Sequence, residues 1–282
     1  MSESFGRQQW AAQIVMSEAS SRERAAESIT NPYDGAPLDV TIFVSCYNEA
    51  PYIAKTIDTV CAAGEEVGVS FEVIVIDDGS TDNSRGLVHQ YIDEHPTRRI
   101  ILRANRINKG LAQNYVDGAF LGRGKYYRLT CGDHSEPKDM IVKVLRARGA
   151  ADIIMPYYES AEGKGWRREI ISKSYTALIN LLTGYRMRYY NGSALHLRHN
   201  VIRWHSNTRG FGFQAELLCI LLDLGFTFQE IPVVVVEQRK GASNAVTFRN
   251  MLSVGHTILE IFFRRLSRLV YRRRSLIAND EM

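Results

Sequence analysis

The chain has 282 residues, of which 45% are hydrophobic, 23% charged and 10% aromatic, with a net charge of +4. That composition supplies one large core and argues against general disorder, and the mild charge with no basic patch interleaved with aromatics gives no footing to nucleic acid as a partner. No apolar run reaches the roughly 18 residues that span a bilayer, the N-terminus lacks a signal-peptide core, and Cys46, Cys61, Cys131 and Cys219 show neither metal nor disulfide spacing, so a reducing, cytoplasmic setting is expected.

Residues 1–37 carry one helical stretch, about 8–26, and a turn-rich linker ending at Gly35, and read as an appendage. From residue 38 strand and helix alternate: strand 40–45, helix 51–62, strand 71–77, helix 82–94, strand 99–103, helix 110–120, strand 126–130, helix 137–148 and strand 152–156. This predicts an α/β fold with a mostly parallel central sheet and helices on both faces. A long helix over 167–183, a possible strand 191–198, a helix near 214–224 and a strand 227–236 complete the main domain, 38–245. In the last segment, 246–282, Met251, Val254, Ile258, Phe262, Leu266 and Leu269 fall on one helical face, and Arg264, Arg265, Arg268, Arg272, Arg273 and Arg274 crowd its end. Such a helix fits an anionic membrane surface or packs on the core with a solvated basic end, and both readings stand.

Two strand-like runs finish in polar loops. Val73 to Ile76 ends in Asp77, Asp78, Gly79 and Ser80, and Val40 to Val44 ends in Ser45, Cys46, Tyr47, Asn48 and Glu49, with Pro51 opening a helical pattern. In an open parallel sheet both would reach the ligand-binding edge, where paired carboxylates suit a sugar hydroxyl, a nucleobase or a metal ion. The plainer alternative has Asp77 capping its turn and Asp82 the next helix.

These two runs, with Asn108-Lys109-Gly110-Leu111-Ala112, Gly132-Asp133, Arg168 with Ser172, Asn191-Gly192 and Phe211 to Glu216 followed by Arg239 to Ser243, occur in an order that resembles the family 2 inverting glycosyltransferases of GT-A fold, in their dolichol-phosphate or polyprenyl-phosphate branch. The resemblance spans about residues 38–245. It implies a nucleotide-sugar donor, UDP- or GDP-linked, lined by Tyr47, Asn48 and Glu49, with Asp77 and Asp78 holding base and ribose, and with Ser80, Lys109 and Gly110 in the same donor site. It implies phosphate contacts from Arg168, Ser172, Arg239 and Ser243, Arg239 also taking a catalytic part. A divalent cation, Mg2+ or Mn2+, would be held by Asp133; in relatives the motif is Asp-x-Asp, and here Cys131 stands at the first aspartate, a poor ligand for a hard cation. Glu136 and His134 are possible helpers.

The acceptor is less determined. Pro156-Tyr157-Tyr158 stands where relatives carry a phosphate-binding Gly-Ser-Arg, and Arg188-Tyr189-Tyr190-Asn191-Gly192 where they carry an aspartate before Ser-Gly. Family members displace the nucleotide in one step. A lipid-phosphate acceptor needs no base, whereas a saccharide hydroxyl, as in capsule or lipopolysaccharide assembly, needs a carboxylate. Glu216 is the candidate, unless it pairs structurally with an arginine. The expected enzyme works at the cytoplasmic face of a membrane; a homo-oligomer and a catalytically silent nucleotide-sugar binder stay open.

Overall fold

The computed structural model describes residues 37–162, 166–204, 210, 212–236 and 248–271, with side chains described at these positions outside 159–168, 235–251 and 269–271. The expected N-terminal helix and linker, and Arg272 to Arg274, lie outside the described residues. The first half alternates as its periodicity predicts: β1 (Leu38–Cys46), α1 (Ile53–Val67), β2 (Phe71–Asp77), α2 (Ser84–Glu94), β3 (Ile100–Ala104), α3 (Leu111–Leu121), β4 (Gly124–Cys131), α4 (Lys138–Arg146) and β5 (Ile153–Glu162). There follow α5 (Trp166–Thr183), β6 (Leu195–Leu197), α6 (Arg198–Arg203), α7 (Phe213–Asp223), β7 (Phe228–Val236) and α8 (Phe248–Tyr271).

The strands form one sheet in the order β3-β2-β1-β4-β6-β5-β7. Pairings are parallel except the two made by β6. Successive side chains of a strand point to opposite faces, so a strand buried on both sides must be apolar throughout. In β1, Val40, Ile42 and Val44 join a core with Ile53 and Ile57 of α1 and Ile141 and Leu145 of α4. Phe43 points the other way, to Tyr115 of α3 and Phe213 of α7. The parallel register sets Cys46 beside Asp77 and Ser45 beside Cys131, so three strand ends meet at one edge.

The second half departs from expectation in three places. β5 continues past residue 156 to Glu162, because its ladder with β7 resumes after a bulge between Tyr158 and Ser160. Only Leu195–Leu197 of the expected strand 191–198 pairs, and α6 follows it directly. On α8 the core-facing residues are Thr257 and Ile261, with Val254 and Ile258 half-buried, while Phe262 and Leu266 are exposed. The helix is rotated from its expected face because Arg264 and Arg265 turn inward to Glu216 and Asp223 of α7.

Candidate active site

Both carboxylates at the end of β2 are closed in by protein donors. Asp77 is fully buried; Arg85 of α2 donates Nε at 3.0 Å and Nη2 at 2.8 Å to Oδ2, and the Ser80 N–H donates to Oδ1 at 3.2 Å. The turn-capping reading of Asp77 is therefore what the geometry shows, reinforced by an arginine that donates twice to one carboxylate oxygen. Asp78 accepts from Asn105 Nδ2 at 2.9 Å and from the backbone N–H groups of Lys109 at 2.8 Å and Gly110 at 2.9 Å. Burial raises its pKa, but the donors Asn114, Lys109, Asn105 and Gly110 outweigh that and leave the carboxyl below the usual range. The two acids thereby shape the loops at 79–82 and 108–110, and their expected contacts with base and ribose stay a proposal.

Those loops are cross-tied. Asn48, at φ +56, accepts the Thr81 N–H at 2.8 Å with its side chain and donates its own N–H to Ser80 Oγ at 2.9 Å. Glu49 N–H donates to Ser84 Oγ at 2.8 Å, and Asp82 accepts the N–H of Ala50 at 3.1 Å and of Ser84 at 3.0 Å. Tyr47, about half exposed, projects from this frame. Lys109 Nζ lies 3.3 Å from Asp117, which also receives Arg103 at 3.1 Å.

The β4 loop sits against the same edge. Gly132 donates its N–H to Ser45 O at 2.9 Å and accepts Thr56 Oγ1 at 2.9 Å. A Cβ on Gly132 would lie 2.4 Å from Ser45 O, so only glycine lets the two loops approach this closely. Asp133, half-buried, accepts the Ser135 N–H at 3.2 Å. Burial pushes the Cys131 thiol up, and the negative charges of Asp133 and Glu136 add to it, so it is protonated at neutral pH. Glu136 is committed elsewhere: Oε2 meets Arg128 Nη2 at 2.6 Å, and Oε1 accepts Ser193 Oγ. His134, at φ +54, is held neutral first by burial and then by Lys55, with its Nδ1 unpartnered. No group of three or more ligating side chains exists among the described residues. The chain thus fits a divalent cation only as one held by a single carboxylate, Asp133, with donor oxygens and water completing the shell, a common arrangement for Mg2+.

Glu216, the candidate base, stands in the first turn of α7. It is fully buried, with Arg264 Nη2 of α8 at 3.2 Å, because α8 covers the start of α7. Among the described residues its arginine partner, Arg264, comes from the terminal helix; the loop at 239–243 lies outside the described residues. Ser172 is half-buried on α5, and Arg168 lies in the first turn of that helix, its side chain outside the described ones. Arg239 and Ser243 lie outside the described residues.

Residue patterns gave no sign of several supports. Arg85, Asn105 and Asn114 reach the acidic pair from different elements, and only Asn105, polar and buried at the end of β3, could have been noticed. Arg128 in mid-strand looks like an exposed alternation residue, yet it is fully buried against Glu136.

Solved structures share this architecture. Glucosyl-3-phosphoglycerate synthase from Mycobacterium tuberculosis, in complex with UDP, superimposes with a TM-score of 0.60 at 14% identity, covering 82% of this chain and 80% of that one. Mannosyl-3-phosphoglycerate synthase from Rubrobacter xylanophilus gives 0.63 at 14%, covering 87% and 78%. A mannosyltransferase from Pyrobaculum calidifontis, in complex with GDP-Man and Mn2+, gives 0.55 at 17%, covering 88% and 81%. They establish the GT-A fold. Among curated relatives, a dolichyl-phosphate beta-glucosyltransferase of Dictyostelium discoideum is 32% identical over 108 residues, 36% of this chain and 32% of that protein. An uncharacterized glycosyltransferase of Mycoplasma genitalium is 30% identical over 118 residues, 42% of this chain and 39% of that protein, so the matches span well under half the length of either relative. The model of glycosyl transferase family 2 matches residues 41–204, more than half of the sequence, and the chain belongs to that family.

Proposed function

We propose that the chain transfers a sugar, with inversion, from a nucleoside diphosphate donor to an anionic acceptor of the polyprenyl-phosphate type at the cytoplasmic face of a membrane. The observation that carries this reading is the convergence at one sheet edge of Tyr47, the Lys109 loop pinned by Asp78, and Asp133 on a loop locked to Ser45. A nucleoside would lie between Tyr47, Ser80 and the 108–110 loop, with its diphosphate toward Asp133. Solved neighbours that carry UDP or GDP-Man and Mn2+ support the donor class, and the dolichyl-phosphate relative supports the acceptor class.

The work of such a site is positioning and charge stabilisation. A cation held by Asp133 supplies neutralisation of the departing diphosphate. Arg168, Ser172, Arg239 and Ser243 are assigned to phosphate oxygens, arginine's planar fork matching them. The enclosed Glu216 favours an acceptor that is already an anion, because a phosphate oxygen attacks without losing a proton and a sugar hydroxyl does not. Membrane contact is supported by apolar side chains that α5 and α8 leave exposed, among them Ile171, Leu181, Leu259 and Phe263. No helix among the described residues is long and apolar enough to cross a membrane.

The test is incorporation of radiolabel from a panel of UDP- and GDP-sugars into a lipid extract of enzyme with membranes, followed by mild acid. Label that enters the extract and is released by acid supports a lipid-phosphate product. Acid-stable label assigns a saccharide hydroxyl instead, and nucleotide binding without turnover across the panel assigns a silent binder.

A further inference from the structure

We infer that Arg188, laid on the ring of Tyr157 in the middle of β5, binds a phosphate-type oxyanion on the acceptor, an inference that rests on the glycosyl-transfer reading above. The guanidinium carbon stands 4.6 Å from the Tyr157 ring centroid, and Nη1 donates to Tyr157 Oη. Stacking of this kind fixes the plane of the fork while leaving its edge free to donate. The remaining guanidinium N–H groups meet no acceptor among the described residues, and no carboxylate there forms an ion pair with it. Glu230 accepts the Arg188 backbone N–H with Oε1 at 2.6 Å and forms no ion pair with the guanidinium. An exposed arginine held in place, and not neutralised, is built to receive an anion.

The segment that carries it is rigid and leads to the cleft. On one side, Asn180 of α5 donates Nδ2 to Met187 O at 2.8 Å, accepts the Met187 N–H at 3.2 Å, and accepts Tyr190 Oη at 2.8 Å. Met187 and Tyr190 are buried, so Arg188 and Tyr189 form a short arch between two anchors. On the other side, a Cβ on Gly192 would stand 2.7 Å from Pro156 O, which presses the segment onto β5. The next residue, Ser193, reaches Glu136, three positions from Asp133. One continuous strap thus joins the arginine to the loop assigned to the donor diphosphate. The sequence lacks an arginine on β5 itself, where Pro156-Tyr157-Tyr158 stands. In the fold a tyrosine from that strand instead supports an arginine from the strap.

The oxyanion could belong to a lipid phosphate or to a small soluble phosphate, and the same experiment separates them. Farnesyl phosphate in detergent micelles, glycerol 3-phosphate, inorganic phosphate and farnesol are titrated calorimetrically into the full chain and into Arg188→Gln, Arg188→Lys and Tyr157→Phe. A bidentate charged contact predicts that Arg188→Gln weakens binding of the phosphate probes by about tenfold to a hundredfold, that Arg188→Lys recovers part of this, and that Tyr157→Phe, which keeps the ring, costs less than about threefold. UDP and GDP titrations of the same variants should be unchanged, which separates the effect from misfolding. Farnesyl phosphate binding more tightly than glycerol 3-phosphate assigns a lipid acceptor, and equal binding assigns a soluble one. The inference is overturned if Arg188→Gln binds the phosphates as the parent does, if the parent binds none of them, or if farnesol binds as well as farnesyl phosphate. Failure of UDP and GDP to bind the parent would instead strike the glycosyl-transfer reading.

Discussion

The sheet edge is built in two different ways. At the ends of β1, β2 and β4, short loops are closed by carboxylates that accept from backbone N–H groups of the same loop or of the loop that follows a neighbouring strand: Asp77 to Ser80, Asp78 to Lys109 and Gly110, Asp82 to Ala50. Beyond β5 the polar contacts run between side chains: Arg188 with Tyr157, Arg264 with Glu216, Arg265 and Arg268 with Asp223. The first kind suits the proposed donor, a chemically uniform nucleoside diphosphate. The second would leave the proposed acceptor side to be set residue by residue, where this chain departs from the pattern it resembles.

The largest effect is expected on the donor side. Asp133→Ala should reduce sugar transfer at least about a hundredfold, the scale of losing one group that stabilises developing charge, with thermal unfolding unchanged because Asp133 is half-buried in its loop. If transfer survives, the cation role assigned to this carboxylate is wrong. Next is the buried pair that ties the two sides. Glu136→Ala leaves Arg128 charged and fully enclosed, and urea unfolding should show a loss of about 3 to 5 kcal/mol. The double variant Arg128→Met with Glu136→Leu should regain much of it, while still loosening the strap at Ser193.

His196 on β6 lies between the two sides, and its effect appears as a pH dependence. Its Nε2 meets Tyr115 Oη at 2.9 Å and its Nδ1 meets Leu197 O at 3.0 Å, which suits a neutral ring. Burial above all depresses its pKa to about 4, whereas the unfolded value is about 6.5. The unfolded chain therefore takes up a proton that the native chain refuses between these values. Its contribution is present above about pH 6.5 and is lost as pH falls toward 4. In denaturant titrations across that window, His196→Gln should have a shallower pH slope than the parent, by up to about one proton; an identical slope would mean that His196 is protonated in the fold. The smallest effect is expected at the contact of α7 with α8. Asp223→Asn removes the partner of Arg265 and Arg268, both partly exposed, and should cost about 1 kcal/mol or less without altering nucleotide affinity.

The unequal legibility of the two sides follows from the groups that make their contacts, backbone N–H groups on one side and side chains on the other. Val73 to Ile76 followed by two aspartates identifies a buried strand end without any partner in view, and the first nine elements lie where their periodicity puts them. The same string did not reveal that Arg85 and Asn105 would donate to Asp77 and Asp78, since which donor reaches a carboxylate depends on helix placement. On α8, hydrophobic periodicity named a face containing Phe262 and Leu266, and two ion pairs to α7 overrode it. Arg188 and Tyr157 are 31 positions apart, and nothing local to either announces the other.

The central claim is that a nucleoside diphosphate sits at the shared edge of β1, β2 and β4. It is tested most directly by a crystal structure of the chain soaked with UDP or GDP and Mn2+. The account predicts the nucleoside between Tyr47, Ser80 and the loop at 108–110, with the diphosphate and its cation at Asp133. A nucleotide bound elsewhere, or no nucleotide bound at concentrations that saturate other nucleotide-sugar enzymes, would contradict it.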